Sequence, residues 1–335
     1  MAEFHEKPTL LRRMQHALHV TPSLVPLIVL LAAIALFALL VGGRFFSAGS
    51  QSLVLQQVQI VGIVAAAQTL VILTAGIDLS VGAIMVLSSV VMGQFTFRYG
   101  LPPELAVLCG LLVGLGCGLI NGLLVAYMKL PPFIVTLGTW QVFLATNFLF
   151  SRNETIRAQD IEAQAPILQF FGQSFRLGGA TFTYGVVFML ILVLGLAYAL
   201  RHTAWGRHVY AVGDDPDAAQ LSGVNTKRVL ISVYTLSGLI CAFAGWALIG
   251  RIGSVSPTSG QEANIQSITA VVIGGISLFG GRGSILGALF GALIVGVVSL
   301  GLRMMGTDPQ WTYFFIGVLI IVAVLVDQWI RKVAS

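Results

Sequence analysis

The chain has 335 residues, of which 57% are hydrophobic and 9% charged, against roughly 25% charged in ordinary soluble domains. Eighteen basic and thirteen acidic residues cannot coat a body of this size with a water-facing surface, so a soluble globule is excluded and most of the surface faces lipid. The net charge of +5 is carried by Lys and Arg scattered in short loops between apolar runs, a topology signal rather than a nucleic-acid patch.

Residues 1 to 19 are polar and mixed in charge, with Lys7, Arg12 and Arg13. The apolar run that follows has no small-residue cleavage pattern, so a retained first helix is expected, not a removed signal peptide. Runs of about 20 apolar residues, the length that crosses a hydrocarbon core, then begin near Val25, Leu53, Leu79, Leu105, Phe133, Phe182, Val229, Ile268, Ile285 and Trp311. These predict an all-α integral membrane protein, a polytopic bundle of about ten transmembrane helices forming one domain over residues 1–335. The eighth and ninth runs are short or broken by glycine and leave room for a re-entrant segment. With the N-terminus inside, 11 basic residues fall on the inner side and 7 on the outer, which places both termini in the cytoplasm.

Two connections exceed plain turns. Residues 151–180 are expected outside, with apolar stretches around Ile167 to Phe171 that either dock something or cap the bundle. Residues 201–228 are expected inside, and a loop of that length in a compact membrane body usually has a task. In the fourth run Gly110, Gly114, Gly118 and Gly122 form a ladder at four-residue spacing, matched by Gly283, Gly287 and Gly291 in the ninth. Such ladders permit close helix contact, and the match between these two runs hints at an inverted repeat.

Signatures of covalent chemistry are absent: no GxxxxGK[ST], HExxH or GxSxG motif occurs, and no Cys/His cluster offers a metal site or cofactor handle. Cys109, Cys117 and Cys241 fall within apolar runs as small buried hydrophobes. The five histidines lie in polar flanks. Asp78 is the only acid between Glu6 and Glu104. It reads either as a cap for the helix that follows or as an intramembrane functional carboxylate. A proton-coupled carrier would need several acids at such depth, which disfavours proton coupling. Uncharged polar residues within the runs, among them Gln68, Asn121, Thr136, Gln141 and Asn147, suit a neutral polyhydroxylated solute or serve as glue between helices. With Asp78 they form the candidate substrate path.

The inner loop carries the sharpest local pattern. Asp214, Asp215, Pro216, Asp217, Ala218, Ala219, Gln220, Leu221, Ser222 and Gly223 spell a short helix, with an aspartate at the N-cap, proline at the first helical position, a further acid on the dipole and glycine just past the end. Two turns are unstable alone in water. An apolar face of Ala218, Ala219 and Leu221, flanked by Arg207, Lys227 and Arg228, would fit a groove on a cytoplasmic partner.

At this loop the chain resembles the permease subunit of ribose-type monosaccharide ATP-binding-cassette importers. The resemblance rests on Gly76 to Gly82, Pro132 to Gly138, Gly206 to Gly223, and Ala270 to Gly283 with its run of glycines. Where the family commonly has Gly-Asn before the short helix, this chain has Gly213 and Asp214. The resemblance implies two permease copies, two ATPase subunits docked on the short coupling helix, and a periplasmic sugar-binding protein, all at the bacterial inner membrane. The family carries ribose, fructose, xylose, inositol and signalling furanosyl compounds, and these blocks do not fix which; a hexose or pentose is expected, fructose or ribose first. The alternatives left open are a secondary sugar carrier driven by an ion gradient and a membrane enzyme acting on lipid-linked sugars.

Overall fold

The computed structural model of the chain describes residues 23–260 and 262–334. The polar flank up to residue 19 lies outside them. In chain order the helices are α1 (Leu24–Val41), α2 (Ala48–Leu73), α3 (Val81–Phe97), α4 (Pro103–Met128), α5 (Pro132–Ser151), α6 (Ala158–Gln164), α7 (Tyr184–His202), α8 (Ala204–Asp214), α9 (Pro216–Leu221), α10 (Thr226–Ile252), α11 (Ala263–Ile273), α12 (Ile285–Met304) and α13 (Pro309–Ala334). The fold is an all-α membrane bundle with one small antiparallel hairpin, β1 (Ser174–Leu177) paired with β2 (Ala180–Thr183) through a Gly178-Gly179 turn.

Each of the ten apolar runs coincides with a helix, but they are not ten equal spans. Among the described residues seven helices are long and apolar enough to cross a bilayer: α1 with the 3-10 turn that follows it, α2, α4, α5, α7, α10 and α12. The other three apolar stretches, α3, α11 and Gln310–Leu325 of α13, are shorter. Helix α11 has 11 residues, or about 16 Å at 1.5 Å per residue, roughly half a hydrocarbon core. It is too short to cross a bilayer by itself.

Helices α2, α3, α4 and α10 form the packed centre, with α12 and α11 closing over α2. The glycine ladder of α4 explains how tightly they meet. A Cβ on Gly114 would stand 2.5 Å from the Cβ of Ala242, and one on Gly118 would run into the backbone at Tyr234 and Gly238 of α10. Higher on the same helix, Gly110 abuts Met92 of α3. The second ladder works the same way, setting Gly287 against Gly274 and Gly291 against Ala270. Bilayers supply little hydrophobic drive for helix association, so backbone approach of this kind carries the packing.

The segment from residue 151 to 183 caps the bundle rather than standing clear of it. Ile161, Ala165, Leu168 and Phe171 are buried, the Trp246 indole N–H donates to Ile167 O at 3.0 Å, and Ile156 pairs with Val255 as an isolated bridge. At the opposite surface lies α8, a helix that the sequence reading left inside a loop. Its N-cap Thr203 accepts from the Gly206 N–H at 3.1 Å, and it buries Gly206, Val209, Val212 and Gly213. The Tyr210 hydroxyl donates to Gly283 O at 2.9 Å, and burial raises the pKa of this phenol, which keeps the donor proton in place.

Gly238→Leu, which places a branched side chain in the α4 contact, is expected to cost about 1–3 kcal/mol or more of overpacking strain. Gly116→Ala, on a face of α4 with nothing within 4 Å, is expected to be neutral. Thermal midpoints of the detergent-solubilised protein check both.

Candidate functional site

Between α2 and α3 the chain leaves helical geometry for the seven residues Thr74 to Ser80. Ala75 adopts φ +60°, and Gly76 is pressed between Val71 and the Tyr234 ring, a Cβ there meeting Tyr234 Oη at 2.7 Å. Non-helical backbone within a membrane body must satisfy its hydrogen bonds internally; buried side chains from two helices bond this backbone, and a third helix bonds the Ser80 hydroxyl. With its amide oriented by its partners, Gln68 of α2 donates Nε2 to Asp78 O at 3.0 Å and accepts from Asp78 N at 3.2 Å. Thr136 of α5 donates to Ile77 O at 2.9 Å. Asn121 of α4 donates Nδ2 to Ser80 Oγ at 2.8 Å.

Asp78 itself is 1% exposed. Its Oδ1 accepts from the Ser80 N–H at 2.7 Å and the Ser80 hydroxyl at 2.6 Å. This is a local Asx turn that sets up the start of α3, where Ser80 occupies the N-cap position without a side-chain cap of its own. The carboxylate thus braces the residue at the N-cap position rather than accepting from the first turn of α3.

Four of the six candidate path residues, Gln68, Asp78, Asn121 and Thr136, thus converge on one loop and spend polar groups on holding it. The other two lie apart. Gln141 is exposed on the outer face of α5. Asn147, fully buried, donates Nδ2 to Pro257 O at 2.9 Å while its Oδ1 has no partner among the described residues.

The short helix after Asp215 forms as the pattern predicts. Asp215 is the N-cap, its Oδ1 accepting from Asp217 N at 2.9 Å and Ala218 N at 3.0 Å; Pro216 opens the helix, and Gly223 leaves it at φ +88°. One detail differs. Ala219, expected on a docking face, is 5% exposed and packs into the chain's own core, whereas Leu221 is 91% exposed. A helix of two turns needs a floor, and Ala219 is the side that rests on it. Asp214, Asp215, Asp217 and Ala218 remain exposed beside Leu221.

Around this helix three backbone segments meet. Gly281 N donates to Leu73 O at 3.0 Å, a Cβ on Gly281 would stand 2.8 Å from Asp214 Cα, and one on Gly213 would collide with Leu73 O. The end of α2, the end of α8 and the glycine loop between α11 and α12 are therefore in direct contact at the base of α9. Through α2 this base connects to the Thr74–Ser80 loop.

The all-α membrane bundle thus holds a buried polar loop and presents a capped short helix at one surface. The chain belongs to the family described as branched-chain amino acid transport system / permease component, whose model matches residues 51–324. As a permease component it is a transport subunit, not an enzyme. It is 75% identical over 331 residues to the fructose import permease protein FrcC of Rhizobium meliloti, covering 99% of this chain and 92% of that one. It is 38% identical to the ribose import permease protein RbsC of Bacillus subtilis over 82% of this chain and 83% of the relative. The galactose/methyl galactoside import permease protein MglC of Escherichia coli is 34% identical over 85% and 88%. No solved structure matches the chain.

Asp78→Leu removes the acceptor of two buried donors, at about 1–3 kcal/mol each, and is expected to lower the thermal midpoint strongly. Asp78→Asn, which retains Oδ1, should stay within about 1 kcal/mol of the parent. Equal stability of the Leu and Asn variants in detergent would contradict the hinge assignment.

Proposed function

We propose that the chain is the membrane-spanning subunit of a sugar importer driven by ATP hydrolysis in a separate polypeptide, with fructose as cargo. The observation that carries this reading is 75% identity to a fructose import permease across 99% of the chain, because ribose and galactoside permeases stand far lower, at 38% and 34%. In this reading the complex holds two copies of the chain, an ATPase subunit on each, and a periplasmic sugar-binding protein at the outer mouth. The setting is the bacterial inner membrane with both termini cytoplasmic, which sets residues 151–183 in the periplasm and α8 and α9 in the cytoplasm.

The mechanical role falls to α9. Its exposed Leu221 fits an apolar pocket on the ATPase, and the acidic residues 214, 215 and 217 suit a basic rim. A partner shifts a two-state equilibrium only by its differential affinity for the two states. Nucleotide-dependent movement of the ATPase supplies that difference, and the contacts among Leu73, Gly213 and Gly281 carry it to α2 and the Thr74–Ser80 hinge. Of the path residues, Asn147 keeps an amide oxygen without a partner among the described residues, a hydrogen-bonding group for a hydroxyl that desolvates no charge.

In a strain lacking this chain, its expression should restore uptake of labelled fructose in preference to ribose. Leu221→Asp should leave the protein inserted while weakening ATPase co-purification tenfold or more, as expected for a buried apolar anchor, and should abolish uptake. Undiminished uptake by Leu221→Asp would contradict the docking role.

A further inference from the structure

Helices α3 and α11 both begin inside the bundle, and their N-termini meet: the Gly82 N–H of α3 donates to Asn264 Oδ1 of α11 at 2.6 Å. A Cβ on Gly82 would collide with that amide at 2.6 Å, so the contact requires glycine. Since α11 spans about half a hydrocarbon core and its other end sits at the α9 base, this junction lies at mid-membrane depth. Beside it is a cavity of about 60 Å³ between α3, α5 and α11, lined by Trp140, Leu144 and Asn147 of α5 together with Gly82, Pro257 and Asn264.

We infer that this cavity is a monosaccharide-recognition subsite in the wall of the transport path, with Trp140 as its stacking platform and Asn147 as its hydroxyl acceptor. The inference rests on the transport reading above and adds the residues that meet the cargo. Three features converge on it. Asn147 is 0% exposed, and its Oδ1 has no donor; a buried carbonyl oxygen in that state needs an occupant that brings one. Trp140 is partly exposed at the same cavity, and an indole supplies a flat apolar face with one polar edge. No lining residue is charged, which suits a neutral polyol and not an amino acid or an organic anion. Two half-helix N-termini meeting at a midplane site add N–H dipoles toward hydroxyl oxygens.

The size fixes how the ligand sits. A cavity of about 60 Å³ exceeds the roughly 10–15 Å³ that one water needs. It accepts the hydroxylated edge of a ring whose face rests on Trp140, with the remainder in the path. Because Trp140 lies on α5 while Gly82 and Asn264 are fixed to each other, motion of α5 against the α3–α11 pair opens or closes the subsite.

The test uses proteoliposomes holding the full importer, permease with its ATPase and binding protein, and reads initial uptake of labelled fructose against concentration of the loaded binding protein, alongside ATP hydrolysis. Trp140→Ala should lower uptake efficiency roughly tenfold with hydrolysis retained, and Trp140→Phe should recover most of the loss, since a phenyl ring still stacks. Asn147→Ser, which keeps a small polar group, should lower efficiency less than Trp140→Ala. Uptake unchanged in Trp140→Ala, as expected if the cavity holds water only, would overturn the subsite while leaving the importer reading intact. Equal loss in the Ala and Phe variants would also overturn it. A wild-type assembly that consumes ATP and moves no monosaccharide would overturn both.

Discussion

Backbone that leaves helical geometry inside a membrane body has no water to bond to, and the rest of this structure depends on how the chain meets that constraint between Thr74 and Ser80. Gln68, Thr136 and Asn121 arrive from α2, α5 and α4 to satisfy the loop, and Asp78 folds onto Ser80 to start α3. Because each helix contributes one side chain, the loop records their relative positions, and any shift among them must break or exchange hydrogen bonds. Such a polar node is rigid when fully satisfied and costly when partly so. That makes it a discrete joint rather than a soft one.

The glycine contacts surround this joint with close backbone packing. Helix α10 lies against α4 through Gly114, Gly118 and Gly238, and α12 lies against α11 through Gly274, Gly287 and Gly291. Interfaces of this density leave little room for the helices to shift against each other. The structure therefore divides into stiff helix pairs joined at the Thr74–Ser80 loop and at the glycine loop under α9. The exposed helix α9 rests on both through Leu73, Gly213 and Gly281.

Much of this was legible in the sequence. Apolar length exposed the ten runs, and the Asp-Pro-Asp to Gly pattern marked α9 because caps are local chemistry. What the sequence could not show was depth. An 11-residue helix and a full span share the same residue types, so the eighth run left room for a re-entrant segment without showing how short α11 is. Helix α8 escaped because its inward face is made of Gly206, Val209, Val212 and Gly213, too small to look like a core stripe. Ala219 looked available for docking because alanine suits a partner groove and a protein floor equally well. Asn147 stood out as polar within an apolar run, but its companions at the cavity did not. Asn264 is brought to Gly82 across 182 residues of chain, and Gln68, Asp78, Asn121 and Thr136 declare polarity, not convergence.

The account holds that the chain opens and closes a path but owns no energy source. The most direct measurement is accumulation of labelled fructose inside proteoliposomes containing this chain alone, under an imposed proton or sodium gradient and again with ATPase, binding protein and ATP. Accumulation only in the second case is the expected result. Gradient-driven accumulation by the chain alone would contradict it and identify a secondary carrier.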